Sequence, residues 1–307
     1  VNPRFTTDPR LTILYVRFPG QIGGIMSSID LARKIAATST LSSWKKIPHV
    51  SFIFDIDITN MYKRYLVDRA SIEHSTSKIS FNTIIVKLIA ESIEPFPKLY
   101  SSFSYNRLSH NLKYKYADTV DINIPWVLPN GEMVPFIFKD VAGKGLEELS
   151  NEIEELKNKV KSIDTDHEMI RAAIFDTRKK IRSLKVSALT RILPLKIAKI
   201  MSGYRNDIKN GDIMIDPNGI IVSNVGSILG DIKGKFGLLE IIEPKIIAIG
   251  ISSIEDKVCV NENGTGFHVK HILPLTVAFD HRAIDFGDIV PFIKTLNGRA
   301  NAYHAET

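Results

Sequence analysis

The stretch LPLTVAFDHRAIDFGD, residues 273–288, joins an apolar run to a short polar segment. The apolar run predicts a strand that enters a hydrophobic core. The polar segment that follows contains His281, an arginine and three aspartates. Two interpretations are open at this point. The segment is either a loop that holds a structural, hydrogen-bonded histidine, or a general base held at the end of a strand.

The composition is that of a globular protein with a sizeable core, because 44% of the 307 residues are apolar and 24% are charged. No run approaches the roughly 20 apolar residues that a membrane-spanning helix needs. The first residues show no signal-peptide layout. The one cysteine, Cys259, excludes an internal disulfide and favours a reducing compartment. We therefore expect a cytoplasmic protein and favour one without membrane contact.

Strand and helix patterns alternate along the chain, which predicts an α/β fold with a mixed β-sheet packed against helices. The run IPHVSFIFDIDITN reads as a strand, and Ser80 is the expected N-cap of an amphipathic helix. The run TVDINIPWVLPNGEMVPFIF predicts a hairpin whose turn contains Asn130–Gly131. With no repeat and no linker, we predict a single domain over residues 1–307, in which residues 1–27 form an N-terminal extension.

Five motifs, taken in order, resemble the catalytic domain of the dihydrolipoamide acyltransferases of 2-oxoacid dehydrogenase complexes. These are IPHVSFIFDIDIT, INIPWVLPNGEMVPF, IVSNVGSILG, EPKIIAIG and LPLTVAFDHRAIDFGD. Arg33 also lies fourteen positions before Ile47, the spacing that the family keeps between a helix arginine and its I-P-H-V strand. The resemblance implies the fold of that family, which it shares with chloramphenicol acetyltransferase.

The resemblance departs from the family pattern in three respects. Phe286 stands where the family has a glycine, and Gly287 comes one position late. About 50 residues, 161–210, replace a short connection of the family. The sequence contains no lipoyl or subunit-binding domain and therefore resembles a stand-alone relative.

The reaction implied by the resemblance moves an acyl group between the thiol of coenzyme A and a dihydrolipoamide-type thiol. His281 would be the general base, since its unperturbed pKa of about 6.5 suits a base near neutrality. The hydroxyl of Ser223 would donate to the oxyanion, and Asn224 and Gly226 would shape the turn around it. Transfer would be direct, within a ternary complex. An ordinary turn serine remains an alternative for Ser223.

The resemblance also implies an assembly and a role for Asp285. This carboxylate is expected to orient the histidine loop through an ion pair with Arg33. The family places its site between subunits of a trimer, so we expect a homotrimer and leave open a larger cubic assembly. A lipoyl group, if used, would come from a separate lipoyl-bearing or acyl-carrier protein.

The net charge of +6 is concentrated in one part of the 161–210 insertion, because residues 178–209 carry ten positive side chains and one negative. Leucines and isoleucines alternate with these charges, and Pro194 should break or kink a helix there. We interpret the segment first as an amphipathic helical element packed on the sheet, and second as a flap over the acyl site. Docking of an acidic carrier protein or an anionic membrane surface stays open. No nucleic-acid-binding motif accompanies the charge.

Other functions are compatible with parts of the pattern. The acceptor could be an alcohol, an amine or a carrier-protein thiol, and the chain could also be a trimeric scaffold without catalysis, which Phe286 favours. No metal site is expected, because His268 and His271 would point to opposite faces of a strand. His49 is interpreted as a packing residue of its strand. The glycine-rich stretches match neither nucleotide-binding fingerprint.

Overall fold

A computed structural model describes residues 28–71, 79–127, 133–160, 218–229, 232–261 and 263–303. Its helices are α1 (Ser28–Lys46), α2 (Thr59–Ser71), α3 (Phe81–Ile93), α4 (Leu146–Val160), α5 (Gly226–Leu229) and α6 (Phe286–Asn301). Its strands are β1 (His49–Asp57), β2 (Ser102–Asn106), β3 (Asn111–Lys115), β4 (Ile122–Val127), β5 (Met133–Phe138), β6 (Ile220–Asn224), β7 (Ile247–Ile251), β8 (Glu255–Val260) and β9 (Phe267–Asp280). None of the helices in these ranges is long and apolar enough to cross a membrane.

Seven strands form one mixed sheet in the order β1-β9-β7-β6-β4-β5, with β8 paired to β9. The central pairs β4–β6 and β6–β7 are parallel, whereas β9 is antiparallel to β1, β7 and β8. Strands β2 and β3 form a separate two-stranded ribbon. The mixed α/β architecture expected from the sequence is confirmed.

The main core lies between the sheet and the helices on one of its faces. Phe279 of β9 and Ile89 of α3 are fully buried in it, as is Phe292 of α6. A continuous apolar run suits β9, because its second half is covered on both faces. A smaller cluster around Ile241 covers part of the other face of the sheet.

Local sequence signals account for several of these elements. The Ser80 hydroxyl accepts a hydrogen bond from the Thr83 N–H at 3.1 Å, so the predicted N-cap of α3 is confirmed. Strands β4 and β5 pair antiparallel as predicted. The residues expected in their turn, Asn130–Gly131, lie outside the described residues. So do the 1–27 extension and the basic 161–210 insertion.

Candidate active site

The loop that carries His281 begins where β9 ends at Asp280. The carboxylate of Asp280 is buried and accepts hydrogen bonds from the Arg282 guanidinium, at 2.6 Å from Nη2 and at 3.0 and 3.2 Å from Nε. The His281 N–H donates to the Pro48 carbonyl oxygen at 3.1 Å. The backbone of the loop is therefore fixed on both sides of the histidine.

A second carboxylate extends this charged network. Glu243 lies 3.3 Å from Arg282 Nη2 and 2.9 Å from Lys46 Nζ. Burial of the Glu243 carboxyl opposes its ionisation, but hydrogen bonds and charge from Lys46 and Arg282 outweigh burial and hold its pKa below the usual range. Arg282 is thus held between the side chains of Asp280 and Glu243 and stabilises the loop.

The His281 imidazole is held through one nitrogen only. Nδ1 lies 3.0 Å from Asp285 Oδ1 and 3.3 Å from the Ile284 carbonyl oxygen. Both neighbours are acceptors, so in the neutral ring Nδ1 carries the proton and Nε2 keeps its lone pair. Within the described parts of the chain Nε2 has no hydrogen-bond partner, and 44% of the side chain is exposed. The arrangement leaves a proton acceptor that faces solvent.

Asp285 has two structural connections. It is the N-cap residue of α6, and its backbone N–H donates to Asp288 Oδ2 at 3.0 Å. Its own side chain reaches His281, with 3.0 Å between Oδ1 and Nδ1. Arg33 belongs to α1, but the structure does not describe its side chain. The expected ion pair between Arg33 and Asp285 therefore stays a prediction.

Phe286, which replaces the family glycine, is the first residue of α6 and packs on two aromatic rings. Its ring centroid lies 5.4 Å from that of Phe52 and 5.5 Å from that of Phe279. Phe279 in turn meets the His281 ring edge-on at 5.6 Å. The loop accommodates the substitution because the phenyl ring extends an aromatic cluster beside the histidine.

Ser223 lies near the end of β6, beside Gly250 of β7. A Cβ on Gly250 would come within 2.6 Å of the Phe236 ring, so this position requires glycine. In the described residues the Ser223 hydroxyl has no hydrogen-bond partner. A half-buried hydroxyl that no described group contacts can bind a ligand.

Asn224 and Gly226 lie in the turn that follows Ser223. Asn224 Nδ2 donates to Asn82 Oδ1 at 2.5 Å, and Asn224 Oδ1 accepts from the Ser227 N–H at 3.0 Å. A Cβ on Gly226 would lie 3.2 Å from the Ser252 carbonyl oxygen, which leaves little room for a side chain. The turn therefore ties β6 to the N-terminus of α3.

Ser223 and His281 lie near opposite ends of the strands of the sheet. Ser223 is level with Gly250 and, across β7, with Thr276 of β9. His281 follows five residues later, beyond the other end of β7. With about 3.3 Å per residue and about 4.8 Å per strand, the two backbones are roughly 20 Å apart. One copy of the chain does not bring the two side chains together.

Sequence reasoning missed two residues that brace the histidine loop. The Tyr114 hydroxyl donates to the Ala283 carbonyl oxygen at 2.5 Å. Lys98 Nζ lies 2.9 Å from Asp288 in the first turn of α6. Both contacts span more than 160 positions of sequence, so no local pattern could have indicated them.

Three other described histidines, His49, His268 and His271, contact neighbouring protein groups. His49 Nε2 accepts from the Ile241 N–H at 3.1 Å and stacks on Trp44 at 4.5 Å. His268 contacts Asn261 and His271 contacts Asp256, and the two rings belong to opposite faces of β9. No group of three or more potential metal ligands occurs in the described ranges.

Comparison with known proteins identifies the family of this chain. The model of the 2-oxoacid dehydrogenases acyltransferase catalytic domain matches residues 26–175 and 193–303. The chain belongs to this family. It is 26% identical to the dihydrolipoyllysine-residue acetyltransferase component of the pyruvate dehydrogenase complex of Haemophilus influenzae, over 89% of this chain and 39% of that protein. The chain thus spans about two fifths of the length of this relative.

Two solved structures share the fold of this acyltransferase-family chain. One is a dihydrolipoamide acetyltransferase of Azotobacter vinelandii, with a TM-score of 0.61 and 21% identity over 98% of this chain and 97% of that one. The other is the cubic core of a pyruvate dehydrogenase multienzyme complex, with a TM-score of 0.60 and 20% identity over the same shares. The fold expected from the five motifs is confirmed.

Proposed function

We propose that this protein transfers an acyl group between coenzyme A and a dihydrolipoyl-type thiol. The observation that carries the proposal is the His281 imidazole, which is held through Nδ1 by Asp285 and leaves Nε2 open to solvent. A thiol attacks a thioester slowly until its proton is removed, so a positioned base with a pKa near neutrality is the group the reaction needs. Membership of the acyltransferase family supports the same reaction.

In the proposed reaction the acceptor thiol gives its proton to His281 Nε2, and its sulfur forms a bond to the thioester carbonyl carbon. The carbonyl oxygen becomes an oxyanion, to which the Ser223 hydroxyl donates a hydrogen bond. The carbon–sulfur bond to coenzyme A then breaks, and the leaving thiolate takes the proton from the imidazolium. No acyl-enzyme forms, and Asp285 holds the Nδ1 proton in place.

We propose further that the site is shared between copies in a homotrimer. The separation of roughly 20 Å between Ser223 and His281 in one chain supports this, because a ternary complex needs both side chains at one carbonyl. In the Azotobacter vinelandii enzyme a serine, a histidine and an asparagine four positions later were investigated for their roles in catalysis. His281 and Asp285 have the same spacing. The cubic core formed by a structural neighbour makes a larger assembly a further option.

The proposal extends to the substrates, the domain organisation and the cellular location of the protein. Acyl-coenzyme A is one substrate, and a lipoyl-type thiol is the acceptor. The described sheet and its main core support one catalytic domain. The single cysteine supports a cytoplasmic location.

The test is thiol transfer by the purified protein with a panel of acyl-coenzyme A species and dihydrolipoamide. We expect turnover that falls about 100- to 10,000-fold in His281→Ala, while His110→Asn, which changes an exposed histidine of the β2–β3 turn, keeps it. Coenzyme A binding without transfer to dihydrolipoamide would redirect the proposal to another acceptor. Neither binding nor transfer by the wild-type protein would contradict catalysis and favour a scaffold.

A further inference from the structure

Phe286, which stands where the family has a glycine, begins α6 directly after Asp285, the residue that contacts His281 Nδ1. The family glycine has not simply moved to the next position. Gly287 does not have a φ in the left-handed region, and a Cβ added there would meet no neighbouring atom within 4 Å. Nothing at position 287 therefore requires a glycine, and the change from the family pattern is the phenyl ring itself.

A series of ring contacts connects this phenyl ring to the imidazole. Phe286 meets Phe279 at 5.5 Å and 81°, and Phe279 meets His281 at 5.6 Å and 83° between the ring planes. Phe52 contacts the same two phenylalanines, 5.4 Å from Phe286 and 6.5 Å from Phe279. Edge-to-face contacts at such distances are favourable beyond the area that they bury. Phe286 and His281 therefore rest on one common ring, that of Phe279.

The contact with Phe279 determines more about the imidazole than its hydrogen bonds do. Among the described residues, hydrogen-bond acceptors hold the His281 ring at Nδ1 only. A contact at one nitrogen fixes the position of that atom but leaves the plane of the ring free to turn about it. The Phe279 ring packs against the imidazole at 5.6 Å, so it fixes that plane and, with it, the direction of the Nε2 lone pair.

Phe286 is the outer ring of this cluster, because Phe279 is fully buried whereas Phe286 is 48% exposed. Protein interiors are close-packed, and a ring that loses a neighbour loses contact energy and gains room to tilt. Removal of the Phe286 ring would leave such a gap beside Phe279. A tilt of Phe279 would then move the surface on which the His281 ring rests.

We infer that Phe286 is a positioning residue for the base: it holds the Phe279 ring against the imidazole and so keeps His281 Nε2 aimed at the acceptor thiol. The inference rests on the proposed acyl transfer and adds a residue to the site of that reaction. A small misplacement of a catalytic group lowers the rate steeply. Phe286 acts through Phe279 and touches no reacting atom, so its loss should lower kcat and leave KM unchanged.

The test is steady-state acyl transfer to dihydrolipoamide, from the acyl-coenzyme A that the wild type uses best, with circular dichroism to confirm folding. We expect Phe286→Ala to lower kcat about 10-fold and to keep KM within about twofold. Phe286→Tyr retains the ring and should keep kcat within about twofold of the wild type. Val290→Ala is the matched control, because Val290 is 41% exposed one turn further along α6, and it should keep both constants.

Three kinetic outcomes overturn the inference. The first is a kcat for Phe286→Ala within about twofold of the wild type. The second is a raised KM at unchanged kcat, which would place the ring in contact with a substrate. The third is an equal loss of kcat in Phe286→Tyr. If Phe286→Ala does not fold, Phe286→Leu takes its place, because it retains apolar bulk without a ring, and its kcat should fall at least about threefold.

Crystal structures of the wild type and Phe286→Ala separate this inference from the proposed reaction. In the variant, the rings of Phe279 and His281 should turn away from their wild-type positions or show raised B-factors. Rings that keep their wild-type positions and B-factors overturn the inference. Displaced rings, in a protein whose wild type transfers no acyl group, contradict the proposed reaction and leave the positioning contact standing.

Discussion

Lys245 should give the stability of this fold a measurable dependence on pH. The side chain is buried, and its Nζ donates to the Asn218 carbonyl oxygen just before β6. Burial, with a smaller contribution from the charge of Lys139, lowers the pKa of Lys245 to about 7, and the opposing effect of Asp121 is smaller. In the unfolded chain the ordinary lysine pKa of about 10.4 applies.

The sign and size of the effect follow from these two pKa values. Between about pH 7 and pH 10 the unfolded chain holds a proton on Lys245 that the folded chain has released, so stability rises with pH. The slope is about 1.4 kcal/mol per pH unit at its steepest. Between pH 7.5 and 9.5 the wild type should therefore gain on the order of 2 kcal/mol relative to Lys245→Met, which has no such proton.

Urea unfolding of both proteins at pH 7.5, 8.5 and 9.5, at one protein concentration, measures this difference. The exposed Lys113→Met substitution is the control and should follow the wild type at every pH. Parallel pH dependences for wild type and Lys245→Met would refute the reasoning, because Lys245 would then titrate alike in the folded and unfolded chains.

Three further substitutions test how the site is held. Asp288→Ala should cost about 1 kcal/mol at neutral pH, measured by urea unfolding. Burial disfavours the Asp288 carboxylate, but the backbone bond at the helix start and Lys98 lower its pKa on balance, so its contribution is present above about pH 4 and is lost as the pH falls below that value. Gly219→Ala should lower thermal stability by at least about 1 kcal/mol, because φ is +79° and a Cβ would collide with the Asp121 carbonyl; an unchanged melting temperature would contradict this. Tyr114→Phe removes the hydrogen bond to Ala283, so it should lower the free energy of unfolding by about 1 kcal/mol and reduce acyl transfer. A variant with wild-type stability and turnover would show that this hydrogen bond does not hold the histidine loop.

Local sequence patterns predicted the parts of the site that lie close together in the chain. The strand that ends in the His281 loop and the turn after Ser223 were both found from short motifs. The N-cap at Ser80 was found in the same way. In each case hydrogen bonds between residues a few positions apart determine the conformation, so the pattern and its cause lie in the same stretch.

The other features of the site depend on contacts between residues far apart in the sequence. The distance between Ser223 and His281 depends on the order β9-β7-β6 and on its register, which no single strand specifies. The contact of Tyr114 with Ala283 depends on where the β2–β3 ribbon docks, and the contact of Lys98 with Asp288 depends on how the segment after α3 packs on α6. Phe286 was identified from the sequence as a departure from the family, but its packing on Phe52 and Phe279 required the structure.

The measurement that tests the shared site most directly is co-expression of His281→Ala and Ser223→Ala chains in equal amounts. Each variant alone should have almost no acyl transfer, since removal of an oxyanion donor alone costs about 100- to 1,000-fold. In randomly mixed trimers about a quarter of the sites would pair an intact His281 from one copy with an intact Ser223 from its neighbour. We therefore predict that the mixture recovers about a quarter of wild-type turnover. A mixture that is no more active than the separate variants would contradict a site built from two copies.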